Sequence, residues 1–247
     1  MSAPFIAERP IALSGPLSGA VVRALLRGEV VQQRRLLRPQ PERVGEGWRW
    51  SPPRRRASSA SDAACSPGSP VTWEMQAPCP AALLACCPWG VPGARLFVQE
   101  PLKRGYMRNL FTGEPMENVP VICYAADGAS VLTKPGEFDL VWTWKRALLP
   151  GMHMPRFAAR LTVEVVSVRV ERLQWIGARD CEAEGVEVPP VDYRVADDPR
   201  VLDHEREMAL REKYKAIWAR THGVVSWTSD PLVWVLTLRP VGEAFSG

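Results

Sequence analysis

Ala159-Arg-Leu-Thr-Val-Glu-Val-Val-Ser-Val-Arg-Val-Glu-Arg-Leu173 is the stretch on which the fold turns. It is dense in valine and alternates apolar with polar residues in its second half, the period-two signature of a β-strand. Such a strand is expected to cross the centre of a small β-barrel.

Working outward, Ala178 to Gly185 reads as a short helix stopped by its glycine, and Asp203 to Arg220 as a longer one with alternating charges and a Tyr214, Ile217, Trp218 face. Leu232 to Val241 reads as a closing strand. Upstream, Ala94 to Glu100 is an apolar run bounded by Pro and Gly, and Val119 to Ala126 is another, confined by Pro120 to an edge or a strand start. Asp127-Gly128 supplies a hairpin turn, and Phe138 to Trp144 a further short strand. Near the N-terminus, Ile11 to Gly15 reads as an entry strand and Ser18 to Gly28 as an amphipathic helix. Ser18 is its expected cap, Val21, Val22, Leu25 and Leu26 its apolar face, and Gly28 its stop. Val30 to Leu37 reads as a strand with a polar middle, Gln32, Gln33, Arg34 and Arg35.

Strands mixed with a few inserted helices, without β-α alternation, predict an α+β fold or a small barrel rather than an alternating β-α chain. With 247 residues, 46% hydrophobic and 23% charged, the chain is long enough for one domain over 1–247. Within it, about 40–80 is rich in Pro, Ser, Ala, Gly and Arg and is expected to be a flexible insertion, while about 187–226 forms a helical one. Trp48, Trp50 and Trp73 stand among those arginines, and either stack on bases or pack the insertion onto the barrel.

No apolar run reaches the length of a membrane span, and the N-terminus does not read as a secretory signal, so a cytoplasmic protein with reduced thiols is expected. Cys79, Cys86 and Cys87 lack a C-x-x-C pair and lie far from His153, His204 and His222, so no metal site is expected. There is no P-loop, dinucleotide fingerprint, zinc-protease or nucleophile-elbow motif, and no cofactor is expected. The net charge of +4 is unevenly spread: ten arginines from Arg23 to Arg56 face few acids, which suits a polyanionic partner.

Three stretches together resemble ASCH-domain proteins of phages and prophages. Val21 to Gly28 followed by Gln32-Gln-Arg-Arg35 is similar to that family's helix and G-R-K-T-x-T-R-R opening. Cys87-Pro-Trp-Gly-Val-Pro-Gly-Ala-Arg-Leu-Phe-Val-Gln-Glu100 is similar to its C-P-Y-G-x-P-G-D-R-L-W-V-R-E block. Met152-His-Met-Pro-Arg156, running into Leu161 to Leu173 and then Glu184-Gly185-Val186, is the most specific match. The likeness implies a PUA-like β-barrel whose cleft receives RNA or a modified base, with one branch hydrolysing N4-acetylcytidine.

That branch uses a lysine and a threonine spaced K-x-x-T, plus a glutamate. Aligned on Arg34-Arg35, those two positions hold Val30 and Gln33, and valine carries neither proton nor charge. Glu100 is the one surviving catalytic candidate, with Lys103 or an arginine as a replacement cation; otherwise Glu100 is an edge glutamate paired with Arg95 or Arg156. The expected function is therefore nucleic-acid binding, with RNA as the partner and Gln33, Arg34, Arg35, Glu100, His153 and Arg156 as the contact residues. Arg34 and Arg35 point to opposite faces of a strand, so at most one of them faces a cleft. Two alternatives stay open: an amidohydrolase acting on N4-acetylcytidine-like nucleosides, and a phage accessory factor that binds protein.

Overall fold

The first helix, α1 (Ser18–Leu26), buries Val21, Val22 and Leu25, three positions that one helical face brings together. A computed structural model of the protein describes residues 9–52, 70–74, 80–108, 112, 114–131, 144–187 and 199–242. The N-cap of α1 is Leu17, and the expected capping by Ser18 is corrected: the first intrahelical bond runs from Val21 N–H to Leu17 O, so Ser18 already lies inside the helix, and its hydroxyl donates back to Gly15 O at 2.8 Å. The C-terminal end follows the expectation. Gly28 adopts φ +83°, and the N–H groups of Gly28 and Glu29 return to Leu25 O and Ala24 O, which satisfies the last carbonyls.

The residues gather into two compact units, one made of Met1–Glu29, Arg95–Val163 and Pro240–Gly247, the other of Val30–Ala94 and Glu164–Arg239. In the first unit, β1 (Arg9–Ala12) runs parallel to a strand further on, Arg95–Gln99, with Ile11 opposite Val98. Beyond it, Leu102–Arg108 pairs antiparallel with Pro115–Tyr124 on one side and with Leu148–Leu149 on the other. Among the described residues the strand carrying Pro120 lies at the edge of its sheet, one of the places where a missing N–H is tolerated. Leu102, Ile122, Tyr124, Met154 and Ala158 form a core of this unit.

In the second unit β2 (Val31–Leu36) is followed by a three-stranded antiparallel sheet of β3 (Glu42–Val44), β4 (Gly47–Trp50) and β5 (Val71–Glu74). The stretch expected as a flexible insertion therefore carries paired strands on both its flanks, where Trp48 sits opposite Trp73 and Trp50 opposite Val71. Its parts at 53–69 and 75–79 lie outside the described residues. The helix α2 (Ala81–Ala85) comes next.

With those ranges given, the remaining strands are β6 (Arg95–Gln99), β7 (Leu102–Arg108), β8 (Pro115–Tyr124), β9 (Leu148–Leu149), β10 (Thr162–Arg172) and β11 (Leu232–Val241). Strand β10 is the decisive segment of the sequence, and it alternates most cleanly in its first half: Val163 and Val165 are buried before the phase slips and Val168 takes over. Strand β11 is buried from Leu232 through Leu236, which means that both its faces are covered. It pairs antiparallel with β2, placing Val235 opposite Arg34 and Trp234 opposite Arg35.

Three helices complete the second unit: α3 (Ala178–Ala183), α4 (Pro199–His222) and α5 (Val224–Thr228). On its described side, α4 buries Leu210, Tyr214 and Trp218 and leaves charged residues outward. The expected strand at Phe138 to Trp144 falls on residues 138–143, outside the described set, as does 188–198 of the helical insertion.

The architecture is α+β, with strands in several sheets and few helices. Among the described residues, no set of strands within either unit closes on itself. No helix among them is long and apolar enough to cross a membrane. Cys87, Cys123 and Cys181 are buried and not in disulfides, whereas Cys86 is disulfide-bonded, which corrects the expectation of reduced thiols throughout.

Candidate nucleic-acid interface

Glu100 follows directly on β6 in the first unit, and its side chain is fully buried. Both its oxygens accept from Arg160: Nε to Oε1 at 2.8 Å and Nη2 to Oε2 at 2.9 Å. The third guanidinium nitrogen of Arg160 donates to Asp127 Oδ2 at 2.8 Å, and the group lies 3.7 Å from the centre of the Tyr124 ring. Tyr124 in turn donates its hydroxyl to Ala158 O at 2.7 Å. Asp127 is positioned by the turn that the sequence predicts at Asp127-Gly128: Gly128 takes φ +79°, and the Ala129 N–H donates to Asp127 Oδ1 at 3.0 Å.

Burial pushes the Glu100 carboxyl above its ordinary range, and the Arg160 clasp opposes that rise. Asp127, less enclosed, is held below the usual carboxylate range: burial alone would raise it, but the hydrogen bond and charge of Arg160 together with the Ala129 N–H outweigh that rise. Burial also pushes the Tyr124 hydroxyl up to about 12, so it stays protonated and donates. The pairing of Glu100 with Arg95 or Arg156 expected from sequence is corrected: Arg160, at the head of the decisive segment, is the partner, and its fork geometry matches a carboxylate bidentately.

The segment after β9 is two short 3-10 turns, Gly151–His153 and Arg156–Ala158. They are fastened to the end of β6, since Gln99 Nε2 donates to Met154 O at 2.9 Å and the Glu100 N–H points to Met154 Sδ at 3.4 Å. Gly151 is needed there, because a Cβ would sit 2.6 Å from Gln99 O and 2.9 Å from Leu13 O. This anchoring leaves His153 and Arg156 exposed. The His153 ring lies 5.1 Å from that of Trp144, and the Arg156 guanidinium lies 4.4 Å over Phe97. Met152 and Phe157, on either side, are 64% and 52% exposed.

Gln33, Arg34 and Arg35 belong to the second unit. The strand geometry separates the two arginines as expected. Arg34 is buried and held by three carboxylates, Glu184 at 2.7 Å, Asp180 at 2.7 Å and Glu171 at 2.6 Å. Its charge is thus compensated within the protein and its side chain is buried, unlike the exposed arginine expected of a phosphate contact. Arg35 lies 5.5 Å over the Trp89 ring, and its Nη2 is 3.5 Å from Gln33 Oε1. Gln33 donates to the neighbouring Gln32 O at 3.0 Å.

Sequence reasoning missed Arg160, Asp180 and Glu184. The signal for Glu184 was its place in the Glu184-Gly185-Val186 match; the other two carried none. Tyr214 of α4 donates to Glu184 at 3.1 Å, so this helix is tied to the same buried network. Cys181, beside it, has its thiol pushed up to about 12 by burial and is not reactive.

Among the described residues the Glu100 oxygens accept only from Arg160, and no group of three or more potential metal ligands is present. A carboxylate so held is a poor general base, because it must first break two charge-assisted bonds. The exposed groups of the 3-10 turns offer a different chemistry, that of a cation and aromatic surfaces side by side. No family model, curated protein or solved structure matches this chain.

Proposed function

We propose that this chain is an ASCH-type, PUA-like barrel module that binds nucleic acid, RNA or a modified nucleotide, through the surface carried by the 3-10 turns of its first unit. The observation that supports the reading is the pair of aromatic contacts there: exposed His153 tilted against Trp144 and exposed Arg156 over Phe97, on a segment fastened to β6 through Gln99, Glu100 and Gly151. A histidine and an arginine held by aromatic rings lose little side-chain freedom when they engage a base or a phosphate. Arg35, held over Trp89 in the second unit, offers a phosphate contact of its own. Arg34, buried among three carboxylates, is left out of this proposed contact set.

Two features speak against an amidohydrolase. Val30 stands where the family's lysine would be, and Glu100 is locked by Arg160. Arg160 cannot replace a lysine as a proton carrier, since a guanidinium paired with two carboxylates stays charged.

The test is binding of short single-stranded RNA, duplex RNA and DNA over a range of salt, with N4-acetylcytidine hydrolysis measured in parallel. Binding that weakens with salt, and Arg156→Ala lowering the slope of log K against log salt by about 0.7 on a single strand, is the expected result. An unchanged affinity in both His153→Ala and Arg156→Ala overturns the reading, and turnover of acetylcytidine replaces it with the hydrolase.

A further inference from the structure

The three-stranded sheet β3-β4-β5 has two unlike faces. Register places Arg43, Trp48 and Trp73 in one row across it, and Trp50 with Val71 in the next row on the same side. Glu42, Arg49 and Thr72 form a row on the other side, and all three are exposed. The rows of the aromatic face differ in fate. Trp50 is 3% exposed, meets Trp234 edge-on with ring centres 6.2 Å apart, and donates its indole N–H to Pro39 O at 2.9 Å, so it belongs to the core. Trp48 and Trp73 are only half-buried, and Arg43 beside them is exposed. The guanidinium of Arg172, at the end of β10, lies 4.9 Å from the centre of the Trp48 ring.

Core packing accounts for Trp50 but not for two partly exposed indoles set opposite each other, with Arg43 next to Trp48 in the row and the Arg172 guanidinium over the Trp48 ring. Gly47 marks how tightly this pair of strands is drawn together: a Cβ there would stand 2.6 Å from Trp73 O. Neighbouring side chains across strands lie about 5 Å apart, so the two indoles are close enough to serve successive bases of a single strand, and the two guanidinium groups beside Trp48 suit its phosphates.

We propose that the Arg43–Trp48–Trp73 row, with Arg172, is a second nucleic-acid contact that takes unpaired bases of a single strand. Rigid duplexes keep their bases stacked inside and offer no ring faces to such a row, so it discriminates single strands from duplexes. The ligand class is the one of the proposed function, but the residues are different and lie in the other unit. The charge fits: from residue 23 to 56 the sequence has ten arginines, three acids (Glu29, Glu42, Glu46) and no lysine.

The test compares oligouridylate with a duplex RNA of equal phosphate number, on the full chain. Trp48→Ala with Trp73→Ala is expected to weaken oligouridylate binding about 10-fold for each indole removed and to leave the duplex unaffected, while Trp48→Phe with Trp73→Phe keeps most of the affinity. Arg43→Glu, on an exposed strand, decides the matter should the alanine pair fail to fold: it is expected to weaken the single strand and flatten its salt dependence. Unchanged oligouridylate affinity in Arg43→Glu, or in a folded alanine pair, overturns the inference. Sensitivity to His153→Ala and Arg156→Ala but not to the sheet variants leaves the proposed function standing without it. The reverse pattern moves the binding site to the sheet, and absence of binding by the unaltered protein removes both.

Discussion

The guanidinium of Arg160 holds both oxygens of the fully buried Glu100, at 2.8 and 2.9 Å, across sixty residues of sequence. A bond of this kind is balanced rather than generously stabilising, since both ions have been taken from water to make it. Its removal on one side is what costs.

Arg160→Met is accordingly expected to destabilise the protein by about 3–5 kcal/mol, because it strands the Glu100 charge. Adding Glu100→Gln to that variant restores a large share of the loss. Urea denaturation of the two single variants and the double one gives the coupling; strictly additive losses would show that the pair is not a unit.

Asp180 and Glu184 both bind Arg34 and yet titrate in opposite senses. Burial raises Glu184 above the ordinary carboxyl range against the pull of Arg34, whereas at Asp180 burial is outweighed by the hydrogen bond and charge of Arg34 together with the charge of Arg169 and the Gln32 hydrogen bond, and the pKa is lowered. A raised native pKa contributes stability that is complete below the unfolded value, about 4.3, and is lost as pH rises through the native one. A lowered native pKa contributes above about 3.9 and is lost as pH falls through the native value. Unfolding free energies measured against pH are therefore expected to lose their decline between about pH 4.3 and the native pKa in Glu184→Gln, and their acid decline below about pH 3.9 in Asp180→Asn. Identical profiles for the two variants contradict this assignment.

Gly151→Ala is expected to cost about 1–3 kcal/mol, since its new methyl group meets two backbone oxygens that cannot turn aside. The same change lifts the turn that carries His153, so nucleic-acid affinity falls together with the melting temperature. A variant that melts as the parent does would mean that β6 and the chain at Leu13 yield freely.

Trp50 and Trp175 make a contrast of opposite burial, 3% against 70% exposed. Trp50→Ala is expected to lose about 3–5 kcal/mol through the cavity beside Trp234, and Trp175→Ala to stay within about 0.5 kcal/mol of the parent. Chemical denaturation of both separates them; comparable losses would assign Trp175 a packing role that its exposure contradicts.

The sequence by itself determined those elements whose signal is local. The apolar face of Val21, Val22 and Leu25 with Gly28 behind it placed α1, valine density placed β10, and the run from Leu232 to Val241 placed β11 residue for residue. It also separated Arg34 from Arg35, because strand geometry alternates whatever the surroundings. What only the tertiary structure decided is which charge meets which. Arg34 finds Glu184 at a separation of 150 residues, Asp180 at 146 and Glu171 at 137, and Arg160 reaches Glu100 at 60. Periodicity is written along the chain, but the compensation of a buried charge depends on elements brought together from far apart. For that reason Arg34, which in the sequence is one arginine of a basic quarter, became a buried member of the core, while Arg43 in the same quarter stayed exposed.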